Sequence, residues 1–577
     1  MISASLDSRK ICVLNLNLRV VWNSSMKKLT LLCISAVLHI QASAQNLESA
    51  NAGDWPLYHR TSEAWRHSPL DAINKTNVKK LKIAWTHTPI DVSNGLMATP
   101  IVVDGIVYYS DSRNNVYALD GKTGKELWRY IAKLDSNHKR GWYGPGSRGV
   151  TAGRGKIFVG TLDGRFIALD QATGKEVWSS QLISQSTDFY SLFISPPQLA
   201  GNVVFGGSTG GDQPRQGKIY GVNADTGKLI WSFNTIKEGA ASWPGESGKY
   251  GGGGAWMPGV YDQKTDTILI GTSNPAPDYF PQERRGDNLY TSSILALDPN
   301  TGNLKWHRQE IPNDAWDFDA SNEIVSFRHD ERDVVMHLNK GGFSFVIDKL
   351  NGELLNVWRL NDHINWVKNI DPKSGALIER MDPEAGKKAV FCPGVHGGRT
   401  WAHGAYNPAI KLWYTTTVEI CSEVVAAKID PQKIPANGLH FGVSAAKNVV
   451  TPDGSAYGKL VAVDPISGKQ RWSVKFASPS LSSVLSTAGG LIFNGDAKGV
   501  FTAYDAESGD VMWKHNTEYG MRGSPISYQA DGQQFILTPV GMGYTQNMQT
   551  VDFMTNLFPD LKRAKKGGQL IAFRLGE

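Results

Sequence analysis

"VYALDGKTGKELWRY" (Val116–Tyr130) is one complete β-hairpin written out in sequence. Val-Tyr-Ala-Leu-Asp alternates as a half-buried strand does, Gly-Lys-Thr-Gly-Lys supplies a tight turn, and Glu-Leu-Trp-Arg-Tyr is the returning strand. The phrase comes back as "ALDQATGKEVW" (Ala168–Trp178), "GVNADTGKLIW" (Gly221–Trp231), "ALDPNTGNLKW" (Ala296–Trp306), "AVDPISGKQRW" (Ala462–Trp472) and "AYDAESGDVMW" (Ala503–Trp513). "VIDKLNGELLNVW" (Val346–Trp358) is a stretched copy whose Trp arrives two places late. Each part has a mechanical task. The Asp accepts hydrogen bonds from turn amides and the Gly takes the positive φ. A Trp at fixed register lays its ring across the neighbouring unit while its N–H finds a backbone partner.

Most successive tryptophans of the repeat stand about 40 to 55 residues apart, the length of one four-stranded propeller blade. The two ends of the chain separate a closed ring from an open solenoid. "LIAFRLGE" (Leu570–Glu577) begins the phrase and stops before any Trp, and "LKIAWTHTP" (Leu81–Pro89) provides the missing half with Trp85. A blade assembled from both termini closes the ring and removes exposed edge strands. Trp85, Trp128, Trp178, Trp231, Trp306, Trp358, Trp472 and Trp513 count eight units. The expectation is therefore an all-β, eight-bladed propeller with tryptophan-docking motifs. The long interval from Trp358 to Trp472 is then one blade with an excursion over roughly Asn361–Gly404. A degenerate extra blade around "KLWYTTT" (Lys411–Thr417) is the alternative.

Composition agrees. Of 577 residues, 60 are Gly and 18 are Trp, which suits a turn-rich β protein and not a disordered or long-helical one. From Met26, "MKKLTLLCISAVLHIQASAQ" has two lysines, an apolar run from Leu29 to Ile40 and the small-residue site Ala42-Ser43-Ala44. That is the layout of a secretory signal peptide, with an apolar run too short for a permanent span. Residues 1–44 are accordingly expected to be a leader, starting in truth at Met26, and residues 45–577 a single exported, periplasmic domain. The leader holds five Lys/Arg and one Asp, so its loss takes the formal charge from +6 to +2 and leaves no basis for nucleic-acid binding. Two of the four cysteines remain, Cys392 and Cys421; an exported protein permits a disulfide between them, without showing that they meet. No Cys-x-x-Cys-His motif for a c-type haem occurs.

Phrases between the repeats are more specific: "YGGGGAW" (Tyr250–Trp256), "GDNLYTSSILALDPNTG" (Gly286–Gly302) and "NDAWDFDAS" (Asn313–Ser321). With the tryptophan-docked blades, they resemble the quinoprotein alcohol dehydrogenases that use pyrroloquinoline quinone (PQQ), over about Trp55 to the C-terminus. The resemblance implies PQQ in an axial funnel with a bound metal ion, a carboxylate base that takes the alcohol proton, and hydride transfer to the quinone. It implies Asp317 as the base. It implies Asp212, Asn274 and Asp317 as metal ligands, joined by Asp319, which is similar to the extra carboxylate of lanthanide-using members. On a strand, residues two apart share a face, so Asp317 and Asp319 would approach one cation together. This hard-oxygen set suits Ca²⁺ or a lanthanide ion over zinc. Trp256 matches the aromatic floor under the quinone, Lys340 and Arg148 match basic contacts to it, and Trp401 follows Thr400 where relatives typically have Asn. A separate c-type cytochrome is the implied electron acceptor, and an alcohol or aldehyde the substrate.

The family pattern breaks in three places. Where alcohol dehydrogenases of this kind place two adjacent cysteines over the quinone, "GWYGPGSRG" has Trp142-Tyr143. Met97 stands where relatives have a Glu that contacts PQQ, and Asp212 replaces a metal-binding Glu. Either Trp142 or Tyr143 serves as an aromatic lid, or the funnel has lost its quinone. In the second case the propeller is a hydrolase similar to tetrathionate hydrolases, or a binding scaffold.

Overall fold

The computed structural model describes residues 51–135, 146–184, 191–239, 241–435, 438–543, 554–563 and 565–576. The leader expected over residues 1–44 and the candidate lid residues Trp142 and Tyr143 lie outside the described residues. The opening phrase forms the outer half of one blade. Ile101–Val103, Ile106–Ser110, Val116–Asp120 and Glu126–Tyr130 pair in chain order, each antiparallel to the next. Val116–Leu119 are buried on both faces, whereas Glu126–Tyr130 alternates between half-buried and exposed. That gradient is the reason the third strand reads as a continuous apolar run and the fourth as an alternation. Eight such sheets build the propeller.

The latch between blades uses the Asp, Thr, Gly and Trp of the repeated phrase. Asp120 Oδ1 accepts from the Thr123 amide at 2.8 Å and hydroxyl at 2.7 Å, and Gly124 N–H closes the turn on the Asp120 carbonyl at 2.8 Å. The indole of the preceding blade then lies flat on that turn. A Cβ on Gly124 would stand 2.6 Å from the Trp85 ring, on Gly174 2.4 Å from Trp128 and on Gly227 2.7 Å from Trp178. Each N–H reaches past the glycine to a carbonyl of the same or an adjoining turn: Trp85 to Gly121 at 3.0 Å, Trp178 to Ala224 at 3.0 Å, Trp472 to Ala506 at 3.0 Å. The glycine is thus required twice, for φ near +70° and for the absent side chain.

Ring closure is as the termini predict. Leu81–His87 pairs with Gly567–Leu575, placing Trp85 opposite Ala572, and Gln533–Gly543 and Ile526–Ala530 complete that sheet. Where chain ends replace the docking turn, Trp513 packs edge-on against Phe573 at 5.3 Å. The long interval is one blade, Ala405–Asn407, Leu412–Glu419, Tyr457–Val463 and Gln470–Phe476, so "KLWYTTT" is an inner strand and not an extra blade. The expected excursion before Ala405 is present. A second lies between Glu419 and Tyr457, and the two join: Lys388–Phe391 pairs with Cys421–Ala426, which pairs with Val443–Val449. Cys392 and Cys421 form a disulfide at their junction, Cα to Cα 4.4 Å. Among the described residues no helix is long and apolar enough to cross a membrane.

Candidate active site

Segments that connect blades (Asn94, Arg148, Trp256, Asp317, Arg522) and loops between the second and third strands of single blades (Asp212, Tyr279, Lys340) converge on a cavity of about 210 Å³. Contributions from nearly every blade junction place it at the centre of the ring. One side is acidic. Carboxylate oxygens of Asp212, Asp278 and Asp317 lie within 4.8 Å of one another. Buried Asp314 shapes the loop that presents Asp317: its carboxylate accepts from the Trp316 amide at 2.9 Å and the Phe318 amide at 2.7 Å. Asp317 itself sits at φ +63°, a left-handed conformation that Asp tolerates better than most side chains. Fully buried Arg284 ties this loop to that of Asp278, donating to the carbonyls of Asp314, Pro277 (2.9 Å) and Asp278 (3.0 Å).

Asp317 and Asp319 do not converge as alternate residues of a strand, because Asn313–Ser321 is turn and loop. They meet through Lys340, whose ammonium lies 3.0 Å from Asp317 and 3.1 Å from Asp319. Asp319 also accepts from the Trp256 indole N–H at 3.2 Å. The third member of the close carboxylate group is Asp278, which was not a sequence candidate. It lies four residues beyond Asn274, whose amide donates to Asp278 Oδ1 at 3.0 Å. Among the described residues, Asn274 Oδ1 and Asp278 Oδ2 are buried with no protein donor. A Cβ on Gly211 would come within 2.5 Å of that Asn274 oxygen, so a glycine is needed before Asp212.

Electrostatics shows what this corner can hold. Burial, then the charges of Asp212 and Asp317, pushes Asp278 well above the usual carboxylate range. Burial does the same to Asp317; Lys340 opposes it, while Asp212 and Asp319 add to it. Burial pulls Lys340 down, but Asp317, Asp319 and Asp212 outweigh it and hold the ammonium protonated. Clustered carboxylates with orphaned oxygens are what a multivalent hard cation satisfies, and its charge reverses the upward shifts.

The other side is aromatic and basic. The run Gly251–Gly254 packs backbone on backbone: a Cβ on Gly252 would lie 2.4 Å from the Gly211 carbonyl and one on Gly254 2.6 Å from the Gly210 amide. This close crossing sets Trp256 at the cavity floor. The Arg148 guanidinium carbon lies 4.8 Å from the ring centres of both Trp256 and Trp401. Arg522, missed by sequence reasoning, is fully buried, lines the same wall and donates to the Asn94 carbonyl at 3.1 Å. Burial and then the charge of Arg148 pull its pKa down to about 9, so it stays cationic near neutrality. Met97, Thr400 and Trp401 line the cavity as well. A flat indole floor, two cations and a carboxylate corner fit a planar, polycarboxylate quinone with its metal ion.

The comparisons agree with this geometry. The family model described as the glucose/ethanol/alcohol dehydrogenase β-propeller domain (PQQ) matches residues 55–363 and 356–536. The quinoprotein alcohol dehydrogenase PedH of Pseudomonas putida is 34% identical over 515 residues, covering 83% of this chain and 84% of its own. The quinoprotein ethanol dehydrogenase of Pseudomonas aeruginosa is 32% identical, over 86% of this chain and 87% of its own. A solved europium-containing methanol dehydrogenase superposes with TM-score 0.85 at 27% identity, over 92% of this chain and 99% of that one. The chain therefore belongs to the PQQ-dependent quinoprotein alcohol dehydrogenases and is a dehydrogenase acting on alcohols.

Proposed function

We propose that the protein oxidises its alcohol at the Asp317 corner of the cavity, in the periplasm, and passes electrons to a separate c-type cytochrome. The observation that carries the site assignment is the convergence of Asp212, Asp278 and Asp317 within 4.8 Å beside Trp256 and Arg148. Asp212, Asn274, Asp278 and Asp317 are assigned to the cation, with Asp319 one Lys340 contact away. Four carboxylates facing one lysine favour a lanthanide ion over Ca²⁺. Trp256 and Trp401 are assigned to the faces of PQQ, and Arg148, Arg522 and Lys340 to its anionic edges. Bound there with its cation, PQQ supplies the two-electron acceptor.

The chain's own part is positional and electrostatic. Asp317, ionised once a cation offsets its neighbours, takes the hydroxyl proton of the alcohol. Lys340 holds Asp317 in place and keeps a positive charge where negative charge develops. The indoles exclude water from the reacting face. Export and the cytochrome rest on the leader and on the absence of a haem motif in this sequence. The test is direct. Protein reconstituted with PQQ and either Ca²⁺ or La³⁺ should reduce an artificial dye in the presence of ethanol, with La³⁺ the more effective. Protein that takes up PQQ with neither ion, or holds it and oxidises no alcohol, overturns the assignment.

A further inference from the structure

Residues 55–68 precede every blade strand and run as a strap along the innermost ones. Trp55 exchanges backbone bonds with Val102 at 2.8 Å, Ser326 N–H bonds the Glu63 carbonyl at 3.0 Å, and Tyr406 N–H bonds the Trp65 carbonyl at 2.8 Å. His67–Ser68 then pairs in parallel with Leu485–Thr487. Val102 and Ser326 stand in blades half a ring apart, so the strap crosses the ring. Fully buried Arg66 ties it down, donating to the carbonyls of Tyr58 at 3.0 Å, Pro525 at 2.8 Å and Val484 at 3.1 Å.

On its way the strap presents His59 to His403. His403 ends the turn that carries Thr400 and Trp401 to the cavity. That turn is wrapped around one buried carboxylate: Glu323 accepts from both terminal nitrogens of Arg399, at 2.9 and 2.7 Å, and from Gly404 N–H at 2.7 Å. The two imidazole rings are buried and stacked, with centres 4.7 Å apart and Nδ1 atoms 3.2 Å apart. Tyr58 stands edge-on to both.

This contact requires uncharged rings. One Nδ1 donates and the other accepts, so two imidazolium rings would point N–H at N–H. Among the described residues neither Nε2 has a protein partner, so a proton added there would find no acceptor. Arg66 faces the pair from the strap, Arg399 from the turn, and Arg148 and His337 from the ring; Glu323, already bound to Arg399, is the one carboxylate among them. Burial is the largest reason that both rings stay well below the ordinary histidine value, and the neighbouring rings and guanidinium groups add to it.

We propose that His59 and His403 are positioning residues for the cofactor wall: as an uncharged pair they fasten the strap to the turn that carries Trp401, and charging the pair in acid frees that turn and weakens the hold on PQQ. The proposal rests on the assignment of Trp401 to a face of PQQ. A proton is costly on the fastened pair and cheap once the turn has parted and water reaches the rings, so acid favours the parted form. Both values lie below the ordinary 6.5 or so. The fastening is therefore complete above about pH 6.5 and weakens as pH falls, by up to about tenfold per unit for each ring that takes a proton.

The test measures PQQ affinity by quenching of tryptophan fluorescence in La³⁺-loaded protein at pH 7.5 and pH 5. His59→Gln/His403→Gln, in which neither position can charge, should keep at least about tenfold more of its pH 7.5 affinity at pH 5 than the wild type does. His59→Arg, charged at both, should bind PQQ weakly even at pH 7.5. Affinity for La³⁺ alone, read by competition with Eu³⁺ luminescence, should show the same pH dependence in all three proteins, because the pair does not touch the acidic corner. Equal loss of PQQ affinity in the wild type and the double variant overturns the proposal. So does a difference that appears equally in La³⁺ affinity, which would place it at the carboxylates. Wild-type protein that binds no PQQ at pH 7.5 overturns the cofactor assignment, and the role of the pair with it.

Discussion

Gly174, in a docking turn, and Gly211, at the acidic corner, are both places where no side chain fits, yet they obey different rules. A Cβ on Gly174 would strike the Trp128 indole of the preceding blade, in the same way as one on Gly124, Gly227, Gly302 or Gly509 would strike its own indole. The contact is repeated because seven of the eight blade junctions pose the same packing problem. A Cβ on Gly211 would strike the Asn274 amide oxygen, a contact outside the docking series. The rim of the propeller is periodic and carries stability; the inner connections are aperiodic and carry chemistry. A ring of repeats makes this division workable, since a connection can change without altering the latch that holds its blade.

That contrast can be broken at either end. The largest effect is expected at Asp317. Asp317→Asn removes the base and should lower kcat about 10²- to 10⁴-fold in dye-linked assays, with the thermal midpoint at or above that of the wild type, because a buried carboxylate has been neutralised. Next comes the rim. Trp178→Ala should cost about 3–5 kcal/mol in denaturant unfolding, from lost packing on Gly227 and the Ala224 bond, while the folded fraction keeps its KM. An Asp317 variant that unfolds, or a Trp178 variant that turns over slowly while folded, would erase the distinction.

Asp278→Asn tests whether the residue that sequence reasoning missed belongs to the cation. Its affinity for La³⁺, measured by competitive luminescence titration with Eu³⁺, should fall at least about tenfold, a loss of roughly 1.4 kcal/mol. The smallest effect concerns pH. His59 and His403 are buried and stacked, their Nδ1 atoms 3.2 Å apart, in the N-terminal segment and an excursion respectively. Burial first, then the charge of His403 and Arg66, holds His59 well below the ordinary value; burial, then Arg399, Arg66, Arg148 and His337, does so for His403. Both are neutral in the folded protein and charge on unfolding below pH about 6.5. Their contribution is present above that pH and lost as pH falls beneath it, at up to about 1.4 kcal/mol per pH unit for each histidine. His59→Gln/His403→Gln should flatten the decline in stability between pH 6.5 and 4; an unchanged slope assigns acid lability to other groups.

Legibility followed the same division. The docking phrase repeats in sequence, so strand, turn, latch, blade count and closure through Trp85 were all readable from local pattern. Fold-specific phrases between repeats carried Asp212, Asn274, Asp317, Asp319, Trp256 and Lys340, and the structure gathers all six around one cavity or its acidic corner. The excursion Cys421–Val449 was not readable. It holds no docking phrase, and its strand Cys421–Ala426 pairs with Lys388–Phe391, a partner that no local periodicity announces. Asp278 was overlooked for the corresponding reason: it sits in a loop, and only the Asn274 hydrogen bond and the Arg284 clamp turn it inward. Arg522 lies between two docking phrases in "YGMRGSP", where nothing in composition separates a cavity cation from a surface one.

By itself the sequence determined the architecture of this protein, because a hairpin that docks on its neighbour solves one short-range problem seven times over, and the two terminal half-phrases supply the eighth junction. It also named the chemistry, through residue types set in phrases of their own. Only the tertiary structure decided which carboxylates lie together, which lysine bridges Asp317 and Asp319, and which excursions line the cavity beside them. Those choices depend on atoms a few ångströms apart in space and up to hundreds of residues apart in the chain, and distance of that kind leaves no periodic trace.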